Sequence, residues 1–223
     1  MRIKTLYEDA DFLVIDKPSG IFVHPSTALR AGPGESTVLD LMKKKYPGIQ
    51  LSHRLDKETS GVLVLTKSEK AYQFLKKQFQ ARTVKKTYVA IVNGHVKNDH
   101  GIINKPIGRS PKDFRRRLAG RGVKGKIREA ITEWKVLKRF EESGNKFSLL
   151  EVKPKTGRTH QIRVHMKFLN HPVACDSLYN PKGACPEGLE RLALHAKSIE
   201  FKNLSGKTIK IESPAPKEFS KYL

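Results

Sequence analysis

The sequence predicts an α+β protein whose sheet is largely antiparallel. Short apolar runs rich in Val, Ile and Leu recur between turns built from Gly, Pro and Asn, which is the pattern of strands. Only a few stretches carry apolar residues at helical spacing. They do not alternate regularly with the strands, as parallel βαβ units would. The 223 residues fit one domain, expected to run from 1 to 223, although a hydrophobic content of 38% is low.

Residues 11–15 read as a first buried strand, closed by the turn Asp16-Lys17-Pro18-Ser19-Gly20. A second short apolar run, Ile21 to Val23, precedes a loop over 27–36. From Thr37 a helix is expected, with Val38, Leu41 and Met42 on one face and Lys43 to Lys45 near its end, where cations suit the dipole. Val62 to Leu65 is a further buried strand. Ser68 is a good N-cap for a helix over Glu69 to Gln80 that presents Tyr72, Leu75 and Phe79 on one side. A strand follows from Lys85 to Val92, ended by Asn93-Gly94, with Tyr88 on the opposite face from Thr87 and Val89. Residues 131–137 and 146–152 read as the two strands of a hairpin. Gly157, with Thr159 as N-cap, then opens a helix to about Leu169 whose buried stripe is Ile162, Met166 and Leu169. His160, Arg163 and Lys167 share another face of it. After a loop over 170–189 come strands at 192–201 and 207–211.

Charge narrows the function. Against 22 Asp and Glu stand 44 Lys and Arg, giving a formal net charge of +22. Such an excess fits a polyanionic partner, nucleic acid or an anionic membrane surface. No apolar run approaches the roughly 20 residues that span a bilayer. Acids at Glu8, Asp9 and Asp11 stand where a signal peptide's apolar core would be. Nucleic acid is therefore favoured. The basic residues concentrate at 97–128, where Asp99 and Asp113 are the only acids and five glycines predict a flexible loop or hairpin. Arg115, Arg116 and Arg117 are its densest cluster, read as a clamp on a phosphate backbone rather than a merely solvated face. The 8 histidines are scattered, so no metal is expected. Cys175 and Cys185 show neither a CxxC nor a zinc spacing and read as two separate thiols in a reducing cytosol, a disulfide being the alternative.

Two polar stretches carry chemistry. In 51–67, His53, Arg54, Asp56 and Lys57 precede a Thr59-Ser60-Gly61 turn that runs into the buried strand. One carboxylate between two cations, at the mouth of a strand, is where rigid scaffolds present catalytic groups. In 153–165, Arg158, His160 and Arg163 surround a helix start suited to an anion. By itself Tyr88 reads as packing.

His53-Arg54-Leu55-Asp56-Lys57-Glu58-Thr59-Ser60-Gly61 resembles the HRLDxxTSG signature of the RluA-type pseudouridine synthases. Lys86-Thr87-Tyr88 resembles their KxY strand, and Gly157 to Arg163 their GRxHQIR segment. The turn at 16–20 and Leu194-His195-Ala196 fit as well, so the similarity runs over almost the whole chain in the family's order. The resemblance implies a pseudouridine synthase fold, a largely antiparallel mixed sheet flanked by helices and loops, without the small RNA-binding domain often found at the N-terminus. It implies isomerisation of uridine to pseudouridine in ribosomal or transfer RNA, with no cofactor, in the cytoplasm; a monomer is expected. Asp56 would be the carboxylate acting at the sugar, Arg163 its cation, and Tyr88 the ring stacked on uracil. Arg54 would fill the space of the flipped base. His53, Thr59, Ser60, Arg158 and His160 would support the loop and the RNA. One alternative is a non-catalytic RNA-binding or chaperone protein on the same fold. A glycosidase is another, although hydrolysis usually draws on two carboxylates.

Overall fold

The structure, a computed structural model, describes residues 3–24, 36–120 and 122–222. In chain order it runs β1 (Lys4–Glu8), β2 (Phe12–Lys17), α1 (Val38–Lys43), β3 (Gln50–Leu51), β4 (Ser60–Thr66), α2 (Glu69–Gln80) and β5 (Lys85–Asn93). It continues with β6 (His100–Asn104), β7 (Ile107–Arg109), β8 (Arg117–Ala119), β9 (Lys124–Arg128), β10 (Ile131–Glu142) and β11 (Asn145–Pro154). Last come α3 (Gln161–Phe168), β12 (Leu194–Lys202), β13 (Thr208–Glu212) and α4 (Lys217–Ser220). The α+β class is as the sequence predicts, and the pairings β1–β2, β2–β4, β10–β11, β6–β10, β5–β11 and β12–β13 are all antiparallel. The elements fall into two compact units, Met1–Lys86 with Ala196–Pro214, and Thr87–His195 with Ala215–Leu223.

In the first unit the strands lie in the order β1-β2-β4-β12, with β13 on β12 and β3 on β4. β4 is buried along its whole length, which explains why its sequence is apolar on both faces instead of alternating. Phe12, Val14, Val62, Val64, Ala71, Leu75, Ile199 and Phe201 form its core. Ser68 caps α2 as expected, its Oγ accepting the Ala71 N–H at 3.2 Å. Thr37 and Asp40 form a reciprocal capping box at α1. The strand β1 was not foreseen; its exposed flanks at Lys4 and Glu8 hide the pattern. Ile21 to Val23 is not a strand, but its backbone is paired: the Phe22 and Val23 carbonyls accept the N–H groups of Val38 and Leu39. The loop expected at 27–36 lies, but for its last residue, outside the described residues.

In the second unit the order is β5-β11-β10-β6, and β7 pairs with both β8 and β9 in a separate small sheet. The basic stretch 97–128, expected as a flexible loop or hairpin, is thus built of strands; Arg121 within it lies outside the described residues. Gly120 and Gly122 lie between β8 and β9, each at positive φ, and the sheet rests on an apolar base of Ile107, Ala119, Ala130, Val164 and Tyr179. A second difference concerns α3. Its N-cap is His160, in the left-handed conformation at φ 57°, rather than Thr159. The cause is Gln161, whose Oε1 accepts the Arg158 N–H at 2.9 Å and the Thr156 hydroxyl at 2.7 Å, holding the turn from inside. Its Nε2 donates to the Ile131 carbonyl and to Thr132 Oγ1 of β10, 2.9 Å each, which fastens α3 to the sheet. Thr132 and the Lys105 carbonyl flank the ring of His165 at 2.8 and 3.0 Å, and burial pushes the pKa of that imidazole down. Cys175 and Cys185, read as separate thiols, are paired with each other. The Cys175 backbone is in the left-handed region, at φ 55°.

Candidate active site

In the first unit, the segment between β3 and β4 carries Asp56 at the head of a turn, where the Asp56 carbonyl accepts the Thr59 N–H at 3.2 Å. Asp is favoured at that turn position. Leu55 is buried just before it, and Thr59 and Ser60 are buried just after. The turn is held from behind by Lys17, which is 0% exposed. Its ammonium donates to the carbonyls of Pro18 at 2.8 Å, Ile21 at 3.0 Å and Lys57 at 2.9 Å. Three N–H donors thus meet three acceptors, the arrangement that makes a buried charge tolerable. The Gly20 N–H also reaches the Lys57 carbonyl at 2.9 Å, and Ser19 Oγ donates to the Glu58 carbonyl at 2.6 Å. The turn at 16–20 is therefore a cradle for the 56–59 turn.

His53 points inward. Its Nε2 accepts the Val64 N–H at 3.0 Å, and its ring stacks on Phe79 of α2 at 4.9 Å. A ring nitrogen that accepts a backbone N–H carries no proton, and burial, with Lys86 nearby, pushes the pKa of His53 down to about 3. It is a neutral post that holds β4, while Arg54 beside it is exposed. Gly61, the second residue of β4, is at φ +107°, and a Cβ there would collide with the backbone of Ala196 on β12. The requirement for glycine at the end of the Thr-Ser-Gly turn is thus twofold.

In the second unit, Tyr88 lies on β5 opposite Val152, half-buried against the core of Val89, Ile91, Leu150 and Ile162. Arg163 is 4% exposed on α3, and its Nε and Nη2 each lie 2.7 Å from an oxygen of Asp176, itself 0% exposed. A bidentate pair fixes a guanidinium in both position and plane. Asp176 is fixed in turn by the N–H groups of Leu178 and Tyr179 at 3.0 and 2.9 Å. His160 Nδ1 lies 2.9 Å from the Tyr179 hydroxyl, and Arg158 Nε donates to the Glu129 carbonyl at 2.8 Å.

In the connection from β7 to β8, Arg115 grips Asp113 through Nε and Nη2 at 3.1 and 2.9 Å, with Arg116 at 3.6 Å from the same carboxylate. The pairing holds the Asp113 pKa down to about 2. Arg117 turns its Nη1 to the carbonyls of Phe114 and Arg116. Phe114, 66% exposed, stands among these cations.

Sequence reasoning missed Lys17 as the support of the 56–59 turn, and Asp176 and Tyr179 altogether. A signal for Asp176 existed: a buried arginine requires a carboxylate, and the stretch 170–189 contains only Asp176 and Glu187.

A family model described as RNA pseudouridylate synthase matches residues 11–168. An uncharacterized RNA pseudouridine synthase of Synechocystis sp. is 39% identical over 98% of this chain and 67% of its own length. Ribosomal large subunit pseudouridine synthase D of Neisseria meningitidis is 39% identical over 98% of this chain and 59% of its own length. The chain thus spans about three-fifths to two-thirds of these relatives. Among solved structures, human RNA pseudouridylate synthase domain containing 1 superposes with a TM-score of 0.81 at 27% identity, over 96% of this chain and 84% of that one. The matched span includes both the Asp56 turn and the Arg163 helix, and the chain belongs to the RluA-type family of RNA pseudouridine synthases.

Proposed function

We propose that the chain, acting as a monomer in the cytoplasm, isomerises one or a few uridines of structured RNA, with Asp56 as the catalytic carboxylate. Relatives named for the large ribosomal subunit favour ribosomal over transfer RNA. The observation that carries the reading is the cradle around residues 56–59. A buried ammonium and a serine hold this turn rigidly while the Asp56 side chain itself stays only half-buried. Preorganisation of that kind is what a group acting at a sugar carbon requires.

In this reading the target nucleotide leaves its stack and Asp56 acts at the ribose, at C1′ or on the 2′ proton. The N1–C1′ bond breaks, the uracil turns in place, and C5 bonds to C1′. The C5 proton is lost and N1 gains one, so the reaction is an isomerisation that needs no cofactor. Asp56 has to remain ionised in a closed site, which calls for a cation. The family resemblance assigns that role to Arg163, whose plane Asp176 sets. Tyr88 stacks on the uracil and assists removal of the C5 proton, and Arg54 occupies the gap left in the RNA. The small sheet with Arg115, Arg116 and Arg117 holds the phosphates.

The test is position-resolved pseudouridine mapping of ribosomal and transfer RNA from cells with the normal protein, with Asp56→Asn and without the protein. Sites lost in both altered strains support the proposal. An unchanged map in both leaves a basic RNA-binding protein.

A further inference from the structure

Arg163 commits its Nε–Nη2 edge to Asp176, so the direction its Nη1 edge faces depends on where Asp176 stands. Asp176 has no freedom of its own, because two backbone N–H groups of its turn hold Oδ1. The ring of Tyr179, three residues on, lies against the guanidinium with the Arg163 Cζ 5.1 Å from its centroid. The hydroxyl of Tyr179 reaches a different element: it accepts the backbone N–H of Arg117 at 2.8 Å, the first residue of β8, and it lies 2.9 Å from His160 Nδ1. One side chain therefore touches the guanidinium, the cap of α3 and the basic sheet. The base of that sheet also packs on Tyr179, together with Val164 of the same helix as Arg163.

We propose that Asp176 and Tyr179 are positioning residues that set the aim of Arg163, and that the Tyr179 hydroxyl ties this aim to the seating of β8 on RNA. The inference rests on the proposed function of Arg163. Phosphates drawn to Arg115 and Arg116 act on the strand that begins at Arg117, and the Arg117 N–H is anchored on Tyr179. RNA engagement and catalytic alignment then share one hydrogen bond.

The experiment compares single-turnover pseudouridine formation at saturating RNA with RNA dissociation constants, using the full chain. Tyr179→Phe keeps the ring and its packing; its rate should fall about five- to tenfold, the scale of one hydrogen bond, with affinity within about twofold. Asp176→Asn should lose about a hundredfold in rate, as a displacement on the ångström scale does. Asp176→Glu keeps the charge but adds a methylene, and it should resemble Asp176→Asn in rate rather than wild type. In the wild-type background, Arg115→Ala with Arg116→Ala should lower both affinity and saturated rate. In Tyr179→Phe the same pair should lower affinity alone. Wild-type saturated rates for Tyr179→Phe and Asp176→Asn would overturn the inference, as would equal rate losses from the arginine pair in both backgrounds. Should Asp176→Asn fail to fold, Tyr179→Phe decides. A wild-type protein that forms no pseudouridine refutes the proposed function itself; an active one with insensitive variants refutes this inference alone.

Discussion

Replacing Lys17 by Met keeps the aliphatic stem and deletes the ammonium that closes the cradle beneath Asp56. Three carbonyl oxygens lose a charged donor; the Lys57 oxygen keeps the Gly20 N–H, but those of Pro18 and Ile21 are not compensated in this way. A buried acceptor left without its donor costs about 1–3 kcal/mol. Two such losses, offset in part because a charge no longer has to be buried, give a net cost of about 2–3 kcal/mol. A domain with a stability of roughly 5–15 kcal/mol survives this, so the variant folds and can be assayed. Urea unfolding should show a lower midpoint at an unchanged slope, the mark of lost stability without a change of compactness. The rate at saturating RNA should fall by more than the affinity, because the 56–59 turn loses its support while the basic sheet is untouched. Lys70→Met, at an exposed position on α2, is the control. A Lys17→Met protein within about 0.5 kcal/mol of that control, turning over at the wild-type rate, would refute the cradle argument.

Gly61→Ala should cost about 3 kcal/mol or more, because positive φ and the Ala196 backbone both oppose a side chain; full stability in a melting curve would contradict this. Because the folded-state pKa of His53 lies below its unfolded value, its contribution to stability is complete above about pH 6.5 and is lost as pH falls toward 3. The slope is at most about 1.4 kcal/mol per pH unit, and His53→Gln, which can still accept from Val64, should remove it; identical pH profiles would show that the ring is not held neutral. Alanine at Arg115, Arg116 and Arg117 together should flatten the log K versus log salt plot for RNA by about 1.5 to 2.5, with each phosphate contact worth ~0.7 to 0.9 and the Arg115–Asp113 pairing reducing the total. An unchanged slope would remove the small sheet from the binding surface.

The elements with a dense local code were legible from the sequence. α2 runs over the expected residues because Ser68 and the apolar stripe both announce it, and the hairpin β10–β11 is announced by its apolar strands and the Gly144 turn. The motif residues stood out in the sequence, but what each side chain contacts did not. His53, read as supporting the loop and the RNA, turns its Nε2 to the Val64 N–H, a contact that depends on which way a ring faces. The start of α3 was misplaced because Thr159 offers a local cap, whereas the winning interaction is the long-range clip of Gln161 onto β10. The basic stretch read as a flexible loop or hairpin rather than a small sheet because its strands are only three to five residues long and carry little apolar signal. Asp176 and Tyr179 stayed hidden in a segment without periodicity, since their importance comes from what they touch.

Gly61 also constrains how this chain can diversify. It has to stay opposite Ala196, and a slip of one residue would turn every side chain of β4 to the other face. The point at which the segment carrying Asp56 enters β4 is therefore fixed by packing against β12, whatever side chains the segment presents. On the function proposed above, a change of nucleotide choice would have to come from elsewhere in the chain, for instance from the connections of the small basic sheet, which could change without moving Asp56.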